Sequence, residues 1–151
     1  MERLFSPTDE QAWLDGFDQR VANTAVAHLD IKLESVNDDQ IVLKMPITDK
    51  TRQPLGLLHG GITMALVETA ASMHASWGVD LAEKVPVGIE INGSHVRSAT
   101  DGTVRAVCNV VRRSRSVIVH RVDVYLVETG KLLTTARMTN YYKPVNRGNQ
   151  P

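Results

Sequence analysis

From Gln53 to Val79 the chain carries a single residue that is Asp, Glu, Lys or Arg, and that residue is Glu68. The stretch from about 60 to 77 fits one helix, closed by Gly78 at the place where a left-handed residue commonly ends a helix. At roughly 100° per residue, Ile62, Leu66, Thr69, Met73 and Trp77 share one face, and Met64, Val67, Ala71 and Ala75 share another. A helix that is apolar nearly all round has to be covered on most sides. It is too short and too often interrupted by His, Glu, Thr, Ser and Gly to span a bilayer. The chain must therefore supply the cover, and a sheet curled around the helix would do it.

The flanking sequence reads as that sheet. Leu29, Ile31 and Leu33 alternate with polar residues, as do Ile41, Leu43 and Met45, with "NDDQ" as the turn between them. Beyond the helix, alternating segments span about 85–97, 103–112, 117–128 and 131–142, broken at "SATDG", "RRSRS" and "ETG". Six strands and one long helix predict an α+β domain with an antiparallel sheet. A short first helix is expected to open at Ser6-Pro7, with Trp13, Phe17 and Val21 on one face. The expected division is a helical segment over 1–24, the domain over 25–143 and a frayed tail over 144–151.

The totals narrow the function. Lys plus Arg and Asp plus Glu are both 17, a formal net charge of zero, so no global field invites nucleic acid or an anionic membrane. The one cysteine, Cys108, sits between apolar neighbours and is expected to be a buried, inert thiol. A disulfide framework within one chain is thereby excluded. The N-terminus has no apolar run of the secretory kind, and a cytoplasmic protein is expected. His28, His74, His95 and His120 are dispersed without metal-type spacing, so no metal is expected.

Glu68 then needs a reason, because an ionised group buried without a partner is costly. His59-Gly60-Gly61 opens the helix, and the first amide N–H groups of a helix lack intrahelical partners. Gly60 N–H is a candidate to polarise a carbonyl, and Glu68 a candidate general base or nucleophile. Gln53 and His59 can orient a carbonyl or a water, and Ser72, one turn after Glu68, can hold the attacking water. Gly60 and Glu68 are, however, roughly 12 Å apart along a helix. A site shared across a two-fold interface of a homodimer is therefore expected. A second patch, "RRSRS", gathers Arg112, Arg113 and Arg115 at a turn, and "HVRS" ends the preceding strand with another Arg. Two small basic patches suit a ligand with several phosphates better than a duplex.

"QPLGLLHGGITMALVETAAS" resembles the signature of hotdog-fold acyl-CoA thioesterases, in the branch with a catalytic Glu on the central helix. The resemblance extends from about Leu29 to Tyr142 and is nearest to dihydroxynaphthoyl-CoA and hydroxybenzoyl-type enzymes, with phenylacetate-pathway thioesterases as near relatives. It implies a central helix wrapped by a curved antiparallel sheet, dimers commonly paired into homotetramers, and an acyl-CoA substrate with no separate cofactor. It places the catalytic carboxylate on Glu68, the helix-start amide on Gly60 and the orienting groups on Gln53, His59 and Ser72. CoA contacts fall on His95, Val96, Arg97 and Ser98 and on Arg112, Arg113, Ser114, Arg115 and Ser116. Gly88 would border the acyl group, with Met64, Ala71, Leu55 and Val67 suited to wall a pocket for an aromatic ring or a medium chain, the aromatic group being favoured by the resemblance. The family carries Gly where this chain has Ser114.

Two other readings stay open at the level of sequence. A hotdog hydratase or dehydratase would use a His and an acidic partner in other spacings, and its D-x-N-P-x-H motif is absent. A non-catalytic acyl-CoA sensor would carry a DNA-binding domain, for which residues 1–24 are too few.

Overall fold

The computed structural model describes residues 8–145. Ser6-Pro7 and the tail beyond 145 therefore lie outside the described residues. The first helix, α1 (Glu10–Val21), begins at Asp9, whose carboxylate accepts from Ala12 N–H at 3.0 Å. That bond satisfies one of the free amides of the first turn. Asp9→Ala is expected to lower stability by about 1 kcal/mol, read as a shift of the urea midpoint at constant slope. Trp13, Phe17 and Val21, spaced four apart, are all buried as expected.

A short helix that the alternation did not suggest, α2 (Ala25–His28), comes next. Leu29 caps it, Asp30 takes a left-handed φ of 55°, and only then does β1 (Lys32–Val36) begin. The expected strand starting at Leu29 is thus corrected. Leu29 and Ile31 are buried, but at a helix end and a bend. The "NDDQ" turn is as expected, with Asn37 Oδ1 accepting from Asp39 and Gln40 N–H, each at 3.0 Å.

β2 (Gln40–Pro46) is followed by the long helix α3 (Gly60–Ser76), then β3 (Lys84–His95), β4 (Thr103–Arg113), β5 (Val117–Leu126) and β6 (Leu132–Pro144). All six strands form one antiparallel sheet in the order β1-β2-β4-β5-β6-β3. α3 touches β2 through β6, so the sheet does curl around it. This is the hotdog arrangement. Leu66, Val67, Ala70 and Ala71 of α3 are fully buried in one cluster with Ile41, Leu43, Val104, Ala106, Cys108 and Val122 from the concave face, and Ala75 in a second with Ile118 and Tyr142. Val67 and Ala71 therefore belong to the core and do not wall a substrate pocket. Burial also pushes the Cys108 thiol up, so it stays protonated and inert.

Two details of the frame bear on the functional site. β3 is an edge strand, bulged between Gly88 and Glu90, with Ile89 59% and Val96 48% exposed nearby. At the far end of α3, Trp77 packs edge-on to Trp13 at 5.3 Å and donates from Nε1 to Asp38 at 2.7 Å.

Candidate active site

The start of α3 is built by His59. Its Nδ1 accepts from Gly61 N–H at 2.9 Å, and its carbonyl receives both the N–H and the hydroxyl of Thr63, at 3.0 and 3.1 Å. The ring is therefore committed to capping through one nitrogen. Gly60 supplies the first helical amide, which has no intrahelical partner. Gln53 belongs to a tight loop closed by Gly56 N–H on its carbonyl at 2.9 Å, with Gly56 at a φ of 85° that only glycine adopts easily. Its Oε1 accepts from Leu55 N–H, so the amide nitrogen is the end left to donate.

Gln53, Gly60, His95, Val96, Arg97 and Ser98 line one cleft. Gly60 is required there by contact, since a Cβ on it would lie 2.8 Å from His95 Nε2. The His95 ring is held by Thr134 Oγ1, 2.8 Å from Nδ1, and Arg97 donates to the Leu132 carbonyl at 3.0 Å. Gln53, the Gly60 amide and the "HVRS" patch thus converge within one chain, whereas Ser72 does not join them.

Glu68 lies elsewhere. Although it belongs to the most apolar segment, its side chain is exposed in the single chain. A Cβ on Gly88 would meet Glu68 Oε1 at 3.2 Å and Met138 Cε at 2.6 Å, so Gly88 leaves open the space beside the carboxylate. Ser72, half-buried one turn on, receives a hydrogen bond at 3.1 Å from Nδ2 of Asn140, the residue paired with Gly88 across the sheet. The candidate residues of one chain therefore fall into two separate groups, at the start and the middle of α3.

The Arg turn sits at the third place, the end of α3. Arg113 donates to the Trp77 carbonyl at 3.1 Å and to the Asp38 carbonyl at 3.4 Å, while Arg112, Arg115 and Ser116 are exposed. Ser114 closes the turn, its hydroxyl bonded to both Val117 backbone groups at 3.0 and 3.1 Å. With 17 residues, α3 is roughly 25 Å long. The two basic patches therefore do not meet within one protomer.

Sequence reading missed two clusters. The Ser72–Asn140 contact joins residues 68 apart, and no local pattern marks it. His74 and His120, dispersed in sequence, meet in the core with Nδ1 of His74 2.9 Å from Nε2 of His120. His74 Nε2 lies 2.7 Å from the Asn37 carbonyl and must carry the donated proton. His74 Nδ1 is then an acceptor and His120 Nε2–H its donor, leaving His120 Nδ1 without a partner. Among the described residues no group of three or more His, Cys, Asp or Glu could hold a metal ion. None of the described helices is long and apolar enough to cross a membrane.

The sequence model of the thioesterase superfamily matches residues 55–133, which include Gly60 and Glu68. The chain is 39% identical over 114 residues to a 1,4-dihydroxy-2-naphthoyl-CoA hydrolase of Escherichia coli, covering 76% of this chain and 82% of that one. A thioesterase of Haemophilus influenzae superposes with a TM-score of 0.86 at 30% identity, covering 95% of this chain and 100% of that one. A mutant thioesterase from Pseudomonas aeruginosa does so with a TM-score of 0.86 at 29% identity, over 93% and 100%. The chain therefore belongs to the thioesterase superfamily, as an enzyme that hydrolyses thioesters.

Proposed function

We propose that the enzyme hydrolyses an acyl-CoA with an aromatic acyl group, at sites shared between two copies of the chain. The observation that carries this is the separation of the half-sites along α3, with Glu68 exposed at one and the free amide donors Gly60 N–H and Gln53 Nε2 at the other. A second copy docked on the open β3 edge brings Glu68 of one chain to Gly60 of the other and covers Ile89. Two such dimers would form the homotetramer. The name of the Escherichia coli relative supports the aromatic acyl class.

In this arrangement Gly60 N–H and the Gln53 amide draw charge onto the thioester oxygen. Glu68 either takes a proton from water as the water oxygen adds to the carbonyl carbon, or adds its own oxygen to give an anhydride that water then opens. The C–S bond breaks, the CoA sulfur leaves as thiolate and is protonated, and the acid departs. His95 to Ser98 and Arg112 to Ser116 hold the CoA portion, the phosphates by charge. His59 acts through its cap on Gly61, and no separate cofactor is needed.

The shared site is tested by mixing. Gly60→Pro and Glu68→Ala chains, each inert alone, are expected to regain thiol release from benzoyl-CoA when co-purified as mixed dimers. One site in each mixed dimer then has both intact halves. Mixed dimers as inert as their parents would rule out a site divided between copies.

A further inference from the structure

The α3 helix carries four hydroxyl residues, and three of them bond back to the helix. Thr63, Thr69 and Ser76 donate to the carbonyls of His59, Ala65 and Ser72, at 3.1, 2.7 and 3.4 Å. This back-bonding is what a Ser or Thr does in mid-helix when nothing else engages it. Ser72 is the exception among them. It is held from outside the helix, by the Asn140 amide donating to Oγ at 3.1 Å.

We infer that Asn140 is a positioning residue that fixes the direction of the Ser72 hydroxyl. A serine hydroxyl has one proton and two lone pairs. With one lone pair occupied from the sheet side, the proton is free to be donated towards the Glu68 side, where the attacking water would accept it. A water held in this way, donating its own proton to Glu68, presents its other lone pair to the thioester carbon. Asn140 does this from a position with no solvent exposure, and at a visible cost: its Oδ1 is buried with no partner. The opposite placement of the amide would let Oδ1 accept from Ser72 but would bury an amide with two unpaired N–H donors, which proteins avoid more strictly. Ile118 and Gly88 flank Asn140 on the neighbouring strands, so an apolar side chain would suit packing better than an amide does. The amide is explained by what it does to Ser72.

This inference rests on the proposed role of Ser72 beside Glu68, and the test separates the two. Turnover of benzoyl-CoA is measured for Asn140→Leu and Asn140→Asp, each in the wild-type and Ser72→Ala backgrounds, with Glu68→Gln alongside. Asn140→Leu is expected to lower kcat roughly 10- to 100-fold with little change in KM. The same change in the Ser72→Ala background is expected to have almost no effect, because the two residues act as one unit. Asn140→Asp keeps the shape but accepts the Ser72 proton, and is expected to lower kcat at least as far. If Asn140→Leu disturbs folding, judged by circular dichroism, Asn140→Ala and Asn140→Asp carry the same comparison. Unchanged kcat, a rise in KM alone, or an equal loss in the Ser72→Ala background would overturn the positioning role while leaving Glu68 in place. An active Glu68→Gln enzyme would overturn both.

Discussion

Glu68→Gln is expected to lower kcat for thioester hydrolysis by roughly 10²- to 10⁴-fold, the range lost when a positioned general base is removed. The substitution keeps the shape of the side chain and removes only its charge. Glu68 enters no ion pair among the described residues and is exposed, so the fold does not depend on that charge. Activity should therefore fall while the thermal transition stays put. Wild type and variant are compared by thiol release from benzoyl-CoA and from a medium-chain acyl-CoA. Benzoyl-CoA turned over faster would support the aromatic assignment. A variant as active as wild type would end the Glu68 mechanism and bring the hydratase and sensor readings forward.

Stability should fall in acid, because of a histidine pair in the core. Burial pushes His74 down to about 4 and His120 down to about 3, with Arg113 disfavouring a further positive charge on both and His74 disfavouring one on His120. The Asn37 carbonyl, Asp39 and Asp38 favour the charged form of His74 but do not outweigh burial. In the unfolded chain both titrate near the ordinary value of about 6.5. Below that pH the unfolded state binds protons that the native state refuses. Stability is thus full above about 6.5 and is lost as the pH falls towards 4. Between pH 7 and 5 the pair is expected to cost on the order of 2–4 kcal/mol, read as a falling urea midpoint. Glu34 cannot produce this loss. Burial alone would raise its pKa, but hydrogen bonds from Lys44 and Arg105 lower it below its ordinary value of 4.5, so its contribution is lost only at lower pH. A midpoint unchanged from pH 7 to 5 would mean that the core accommodates an imidazolium.

Some of this molecule is written locally in its sequence and some is not. The α3 helix is legible because its apolar surround, its Gly78 end and its His59-Gly60-Gly61 start all lie within one short stretch. The four long strands after it are legible by period and by their turns. α2 is not, because Leu29 and Ile31 are apolar at the spacing of a strand while serving a helix cap and a bend. Asp9 and Ser6-Pro7 both have the chemistry to open α1, and local pattern does not choose between them. At the candidate site, Gln53, Gly60 and Glu68 can be named from the motif, and His95 from "HVRS". The partners that set their states, Thr134 for His95 and Asn140 for Ser72, arrive from β6 through the sheet register, and nothing near them in sequence announces it. The same is true of His74 and His120, which only the curl of β5 over α3 brings together.

The order of the strands has a consequence for how the enzyme comes into being. β3 follows α3 directly in the chain, yet its neighbour in the sheet is the last strand, with Lys84 paired to Pro144 and His95 to Thr134. During synthesis, β3 must wait unpaired until β4, β5 and then β6 have been made. Thr134 and Asn140 arrive with that final strand, so the groups facing the start and the middle of α3 are the last to be delivered. A nascent chain that stops short of β6 has the whole motif around Glu68, but it leaves β3 and the open edge of β5 exposed to its neighbours on the polysome. Closure of the sheet around α3 is then a late event in the life of each molecule.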